Sequence, residues 1–214
     1  MSMVRRIPMD GVMNFRDLGG FACPGGVTRW NRIYRSAALA DASPEDVERL
    51  RRRNIRLVLD LRYPHEVQAR PDVAIPGVQN LNFPLLGDFP MDKLPINGEV
   101  KSTRSLYRMY RLMLRHGGEA ILGAFRALLA CDGAVLFHCA AGKDRTGVFT
   151  MLLLALAGVE WADILADYTV SELYLEGLTT DISGSNVHNM RMLRAFLEKE
   201  YGSAEEYLLG LGAS

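Results

Sequence analysis

One stretch constrains this chain more than any other: Ala134-Val135-Leu136-Phe137-His138-Cys139-Ala140-Ala141-Gly142-Lys143-Asp144-Arg145-Thr146-Gly147. Four apolar residues follow Asp132-Gly133, the pattern of a short strand inside a sheet. Gly142 sits mid-loop, where a residue without a side chain lets the backbone come close to a ligand. From Arg145 the pattern turns helical. Val148, Met151, Leu152, Leu154, Ala155 and Leu156 are apolar almost all round, which predicts a core helix. Strand, tight loop and buried helix in that order predict an α/β fold. They also put the loop at the carboxyl end of a strand, where open α/β sheets hold their ligands.

The chemistry lies in the loop. A loop closing onto a helix N-terminus points several backbone N–H groups into one concavity, and the helix dipole adds partial positive charge there. Lys143 and Arg145 add two formal charges. That field predicts Cys139 as a thiolate at neutral pH, against the about 8.5 at which a free thiol ionises. The concavity fits a tetrahedral dianion, with Ala140, Ala141, Gly142, Lys143, Asp144, Arg145 and Thr146 as its phosphate cradle. Arg145 can fork two N–H donors onto two phosphoryl oxygens, which lysine cannot do. A thiolate beneath a phosphoryl group is placed for in-line attack, giving a phosphocysteine that water hydrolyses. Thr146 could donate its hydroxyl to the leaving thiolate. Asp144 is the only acid in the loop and could protonate the departing alcohol. No metal and no cofactor is required.

Composition bounds the rest. A chain of 214 residues with 49% hydrophobic content can bury one substantial core, so residues 1–214 read as a single catalytic domain. Lys+Arg and Asp+Glu balance at 25 each, so global charge points to no nucleic-acid partner. Cys23, Cys131 and Cys139 lack metal-ligand spacing and cannot all pair, which favours a reducing compartment. No apolar run reaches transmembrane length, and no apolar segment follows the basic N-terminus. A cytoplasmic location is expected, with export by a signal-less route left open.

Along the chain, residues 14–20 read as a loop or short edge element. Arg16 is there either as a local turn pair with Asp17 or as support for the active site. Residues 23–26 are a turn and 27–35 a strand. Ser43-Pro44-Glu45-Asp46 starts a helix, with serine as its cap and Asn54 as its breaker. Arg49, Arg51, Arg52 and Arg53 suit the negative pole of that helix. Residues 55–61 are a strand ending near Asp60, which either shares a mouth with Cys139 or pairs with Arg35 or Arg62. Residues 64–90 read mostly as loop, with a short strand near 78–83. Residues 84–118 form a candidate flap, ending in a helix over 101–116. On that helix Arg104, Arg108, Arg111 and Arg115 make a basic stripe, either a solvated or paired face or an attractor for polyanionic substrates. Helices are expected over 120–130, 161–175 and from Met190 onward, with a polar linker at 181–186 and a short helix at 205–209.

The His-Cys-x5-Arg-Thr arrangement at 138–146 resembles the signature loop of cysteine-based phosphatases. Its Gly-Lys-Asp-Arg-Thr-Gly version resembles that of the bacterial atypical protein-tyrosine phosphatases. Asn14-Phe15-Arg16-Asp17-Leu18-Gly19-Gly20, Ile33-Tyr34-Arg35-Ser36 and Asp60-Leu61-Arg62 resemble that family's N-terminal blocks. The resemblance implies a cysteine-phosphatase-like fold, a central mostly parallel sheet with helices on both faces. It implies phosphomonoester hydrolysis by Cys139 and Arg145, with Asp144 as the acid and Asp60 as the alternative acid. His138 and Arg16 would then be supporting residues. Phosphotyrosine proteins are the implied substrates, and some such enzymes also take phosphoserine, phosphothreonine and phosphoinositides. A sulfurtransferase would need no acid in the loop, so Asp144 speaks against it. A silent phosphate-binding module would not need both Cys139 and Arg145.

Overall fold

The computed structural model describes residues 4–86, 103–175 and 187–213. Its strands are β1 (Arg16–Asp17), β2 (Ala22–Cys23), β3 (Gly26–Val27), β4 (Ile33–Ser36), β5 (Ile55–Asp60), β6 (Gln79–Asn82) and β7 (Ala134–His138). Its helices are α1 (Pro44–Arg52), α2 (Pro64–Ala69), α3 (Thr103–His116), α4 (Gly118–Ala130), α5 (Asp144–Leu156), α6 (Trp161–Thr169), α7 (Ser171–Tyr174), α8 (Val187–Tyr201) and α9 (Ala204–Gly210).

The main sheet runs β1-β4-β7-β5-β6, and β2 and β3 form a separate hairpin. Only β1 is antiparallel; β4, β7, β5 and β6 pair in parallel. Parallel strands must be covered on both faces, and alternation along β7 shows how. Val135 and Phe137 join Leu57 and Leu59 in a core filled by α3, α4, α5, α6, α8 and α9. Ala134 and Leu136 point the other way, onto Val12, Phe15 and Leu50 of α1. The register shifts between Ile55 and Leu57, which drops exposed Arg56 out of the pairing. Ser36 and Asp60 both stand beside His138. The carboxyl ends of three strands therefore meet where the signature loop begins.

Ser43 caps α1 as expected: its hydroxyl accepts from Asp46 N, and Pro44 opens the helix. Asn54 ends that element with a left-handed φ of 56°. Three expectations change. The strand expected over 27–35 is split, because Thr28 closes the β2–β3 hairpin through Phe21 and Leu18 while Asn31 turns the chain at φ 59°. The loop expected after residue 64 begins with α2, started by Pro64 and by Glu66 accepting from Tyr63 N. The helix expected over 161–175 breaks at Val170 into α6 and α7. The 181–186 linker and residues 87–102 of the candidate flap lie outside the described residues, as does the side chain of Arg104.

Candidate active site

The signature loop spans the gap between His138 at the end of β7 and Asp144 at the start of α5. Gly142 has φ 66°, and a Cβ there would lie 2.1 Å from Ser36 O, so only glycine fits. The loop's carbonyls are tied backwards. Ala140 O accepts from Ala38 N at 3.0 Å. Asn14 Nδ2 donates to Ala141 O and Gly142 O at 3.1 and 3.0 Å. Arg35 Nη2 donates to Gly142 O at 2.8 Å. A trans peptide points its N–H opposite to its C=O. Holding the carbonyls outward therefore turns the N–H groups of the following residues into the concavity.

Two arginines with no exposed surface, Arg16 and Arg35, build this support. Both bind Asp167 of α6: Arg16 Nε at 2.8 Å to Oδ1 and Arg35 Nη1 at 2.6 Å to Oδ2. Arg16 also donates to Asp167 O, to Ser171 Oγ and to Asn14. Burial works against the Asp167 carboxylate, but the two arginines outweigh it and hold its pKa below the ordinary value. Burial, with Arg16 alongside, lowers Arg35 to about 10, so it stays cationic at neutral pH. Arg16 thus supports the loop. At the turn Asp17 accepts from Gly19 N and Asn31 N.

A second buried cluster lies behind His138. Its Nδ1 is 3.2 Å from Cys139 O, and its Nε2 is 3.0 Å from Asp72 Oδ2, off the line of a straight hydrogen bond. Asp72 also accepts from Leu39 N and lies 3.0 Å from Arg62 Nη2. Asp60 is turned onto Arg62, which donates to it from Nε and Nη2, the latter at 2.7 Å. Ligand atoms of Asp60, Asp72 and His138 lie within 4.8 Å of one another, a spacing a metal ion would accept. Arg62 already supplies the positive charge between the two carboxylates.

The front of the loop is arranged differently. Cys139 is 2% exposed, at the floor of the concavity. Arg145 is held by Glu66 of α2, which accepts from Nη1 and, at 2.9 Å, from Nη2. The Tyr63 ring lies 5.1 Å from the Arg145 guanidinium carbon. Burial opposes the charge of each partner, yet their mutual bonds win: Glu66 titrates below its ordinary value and Arg145 above its own. Lys143 is buried with Nζ 3.5 Å from Asp144 Oδ1, and Tyr110 of α3 donates its hydroxyl to that same oxygen. The Thr146 hydroxyl is buried without a hydrogen-bond partner among the described residues. Arg111 and Arg115 of the basic stripe lie over Phe196 of α8, at 4.7 and 5.0 Å, and Arg115 also reaches Glu200; Arg108 is exposed.

Sequence reasoning found the loop and the blocks that hold Asn14, Arg16 and Arg35, but gave no site role to Asp167, Glu66, Asp72, Tyr110 or Tyr168. Among the described residues no helix is long and apolar enough to cross a membrane. A tyrosine-protein phosphatase of Nostoc commune is 30% identical over 217 residues, covering 90% of this chain and 74% of that protein. The triple specificity protein phosphatase PtpB of Mycobacterium tuberculosis is 29% identical over 266 residues, covering 99% and 95%. Residues 7–214 match the tyrosine phosphatase family. The chain belongs to the tyrosine phosphatase family.

Proposed function

We propose that the chain acts as one catalytic domain, a protein-tyrosine phosphatase that hydrolyses phosphomonoesters through a phosphocysteine on Cys139. The observation that carries this is the backward tethering of the loop carbonyls, which turns the N–H groups of the following residues toward the concavity that holds Cys139. The Cys139 thiolate attacks phosphorus, the bond to the leaving oxygen breaks, and Asp144 gives that oxygen a proton. Water then attacks phosphorus, Asp144 takes its proton back, and the S–P bond breaks. Thr146, whose hydroxyl is otherwise unpartnered among the described residues, donates to the departing sulfur. Glu66 uses one N–H on each Nη of Arg145, leaving Nε–H and one N–H on each Nη for phosphoryl oxygens. Asp60, committed to Arg62, is assigned to structure and Asp144 to acid catalysis.

The same reading includes phosphoserine, phosphothreonine and phosphoinositides as further substrates. The triple-specificity name of the Mycobacterium tuberculosis relative and the buried Lys143 inside the loop support it. Among the described side chains the basic stripe supports it only through Arg108, because Arg111 and Arg115 are engaged with α8. A reducing, cytoplasmic setting accompanies the mechanism, since the nucleophile works only while its sulfur is unoxidised and Cys23, Cys131 and Cys139 are all free.

Asp144→Asn tests the acid. We expect a loss of about a hundredfold to ten-thousandfold on phenyl phosphate and far less on an activated fluorinated aryl phosphate, which needs no proton. If Asp60→Asn shows that dependence and Asp144→Asn does not, the acid is Asp60. A panel of phosphotyrosine, phosphoserine, phosphothreonine and phosphoinositide substrates settles the range.

A further inference from the structure

We propose that Tyr110 is a positioning residue that decides which oxygen of Asp144 carries the acid's proton. This rests on Asp144 being the general acid. Tyr110 comes from α3, has no exposed surface, and donates to Asp144 Oδ1. Its hydroxyl also lies 2.8 Å from that of Tyr168 on α6, and the two rings stand edge to face at 86°. Gly147 leaves the room: a Cβ there would come within 3.0 Å of the Tyr168 ring.

Proton counting sets the direction of this chain. Each hydroxyl owns one proton. An ionised Asp144 can only accept, so Tyr110 must spend its proton on Oδ1 and accept from Tyr168. When Asp144 is loaded for catalysis, a proton on Oδ2 leaves Oδ1 an acceptor and the chain unchanged. A proton on Oδ1 would force Tyr110 to accept there and to turn its own proton onto Tyr168, reversing both hydroxyls. Lys143 Nζ, 3.5 Å from Oδ1, opposes a proton at that oxygen as well. The transferable proton therefore sits on Oδ2, the oxygen not engaged by Tyr110. Burial first, and Asp144 next, hold the Tyr110 proton far above the ordinary phenol range, so it remains a donor wherever the enzyme works. Tyr110 thus sorts the two oxygens into one that accepts from it and one that carries the acid's proton.

The test compares Tyr110→Phe with wild type on aryl phosphates of graded leaving-group basicity. We expect kcat on phenyl phosphate to fall about tenfold, the worth of one hydrogen bond to a charged group. The activated fluorinated substrate should change little, and inhibition by vanadate should be unchanged. Tyr168→Phe should move in the same direction by less. Added to Asp144→Asn, Tyr110→Phe should cost nothing more on phenyl phosphate. An equal loss on all leaving groups, with Asp144→Asn still dependent on leaving group, would overturn the positioning role and leave the acid assignment standing. If Asp144→Asn itself shows no such dependence, the acid assignment falls and this inference falls with it. Unchanged vanadate inhibition in both tyrosine variants separates a positioning effect from loss of the fold.

Discussion

The front and the back of the signature loop hold similar charges in opposite ways. Behind the loop, Arg16, Arg35 and Asp167 are closed off from water, and their bonds run to one another, to main-chain carbonyls and to the side chains of Asn14 and Ser171. In front, the side chains of Arg145 and Glu66 keep 13% and 26% of their surface, and Asp144 keeps 20%. The back partners have nothing to exchange with. The front partners must share their donors and protons with a substrate that arrives and leaves. A buried pair is costly to break because the charge left behind has no water, whereas a partly exposed pair can be opened cheaply. The two regions should therefore answer to different measurements, the back to stability and the front to rate.

The largest effect should come from the front with no change at the back. Cys139→Ser is expected to lower turnover by about ten-thousandfold or more, to bind vanadate as wild type does, and to unfold at an unchanged temperature. Substantial remaining activity, or loss of wild-type activity in a chelator, would break the cysteine mechanism.

Asp167→Asn should do the reverse. Leaving Arg16 and Arg35 without their buried counter-charge should cost about 3–5 kcal/mol of stability, read by urea unfolding. The pH sign follows from the lowered pKa of Asp167. Its contribution is fully present above the unfolded value of about 3.9 and is lost as pH falls through the lower folded value. Wild type should thus lose stability on acidification below about pH 4, and Asp167→Asn should lose less of it. A variant as stable as wild type but slow would place Asp167 functionally at the front.

The smallest effect is expected from Glu66→Gln. An amide can accept one N–H of Arg145 but presents an N–H of its own to the other. We expect a rate loss of about three- to tenfold and a stability change under about 1 kcal/mol. A fall in melting temperature with an unchanged rate would erase the distinction between the two regions.

The parts of this arrangement that were legible in the sequence are those made by neighbours along the chain. The strand, the loop and the buried helix around Cys139 follow from contiguous residues, and so does the Ser43 cap. Pro64 and Glu66 carried the signal for α2, proline at the first position and an acid at the third, but Tyr63 as the preceding residue offered no recognisable cap. Arg16 was open between two roles because the residue that decides it, Asp167, lies 151 positions away. Asp72 and Tyr110 sit in segments whose own patterns indicate only loop and amphipathic helix. Nothing local marks a carboxylate that will meet His138 or a tyrosine that will meet Asp144. Asp60 stands at the shared sheet edge, as its position predicts, and the nearby Arg62 then takes its carboxylate.

Sequence separation has a consequence for how the chain comes to life. The loop's anchors join Asn14 to Ala141 across 127 residues and Arg16 to Ser171 across 155. Contacts this remote form late, after the entropy of closing long segments has been met. On a ribosome, Cys139 and Arg145 emerge before α6 does, so a nascent chain carries the reactive residues without the clamp that shapes them. A copy cut short before α6 would lack Asp167 and Ser171, and with them the partners that hold Arg16 and Arg35 behind the loop.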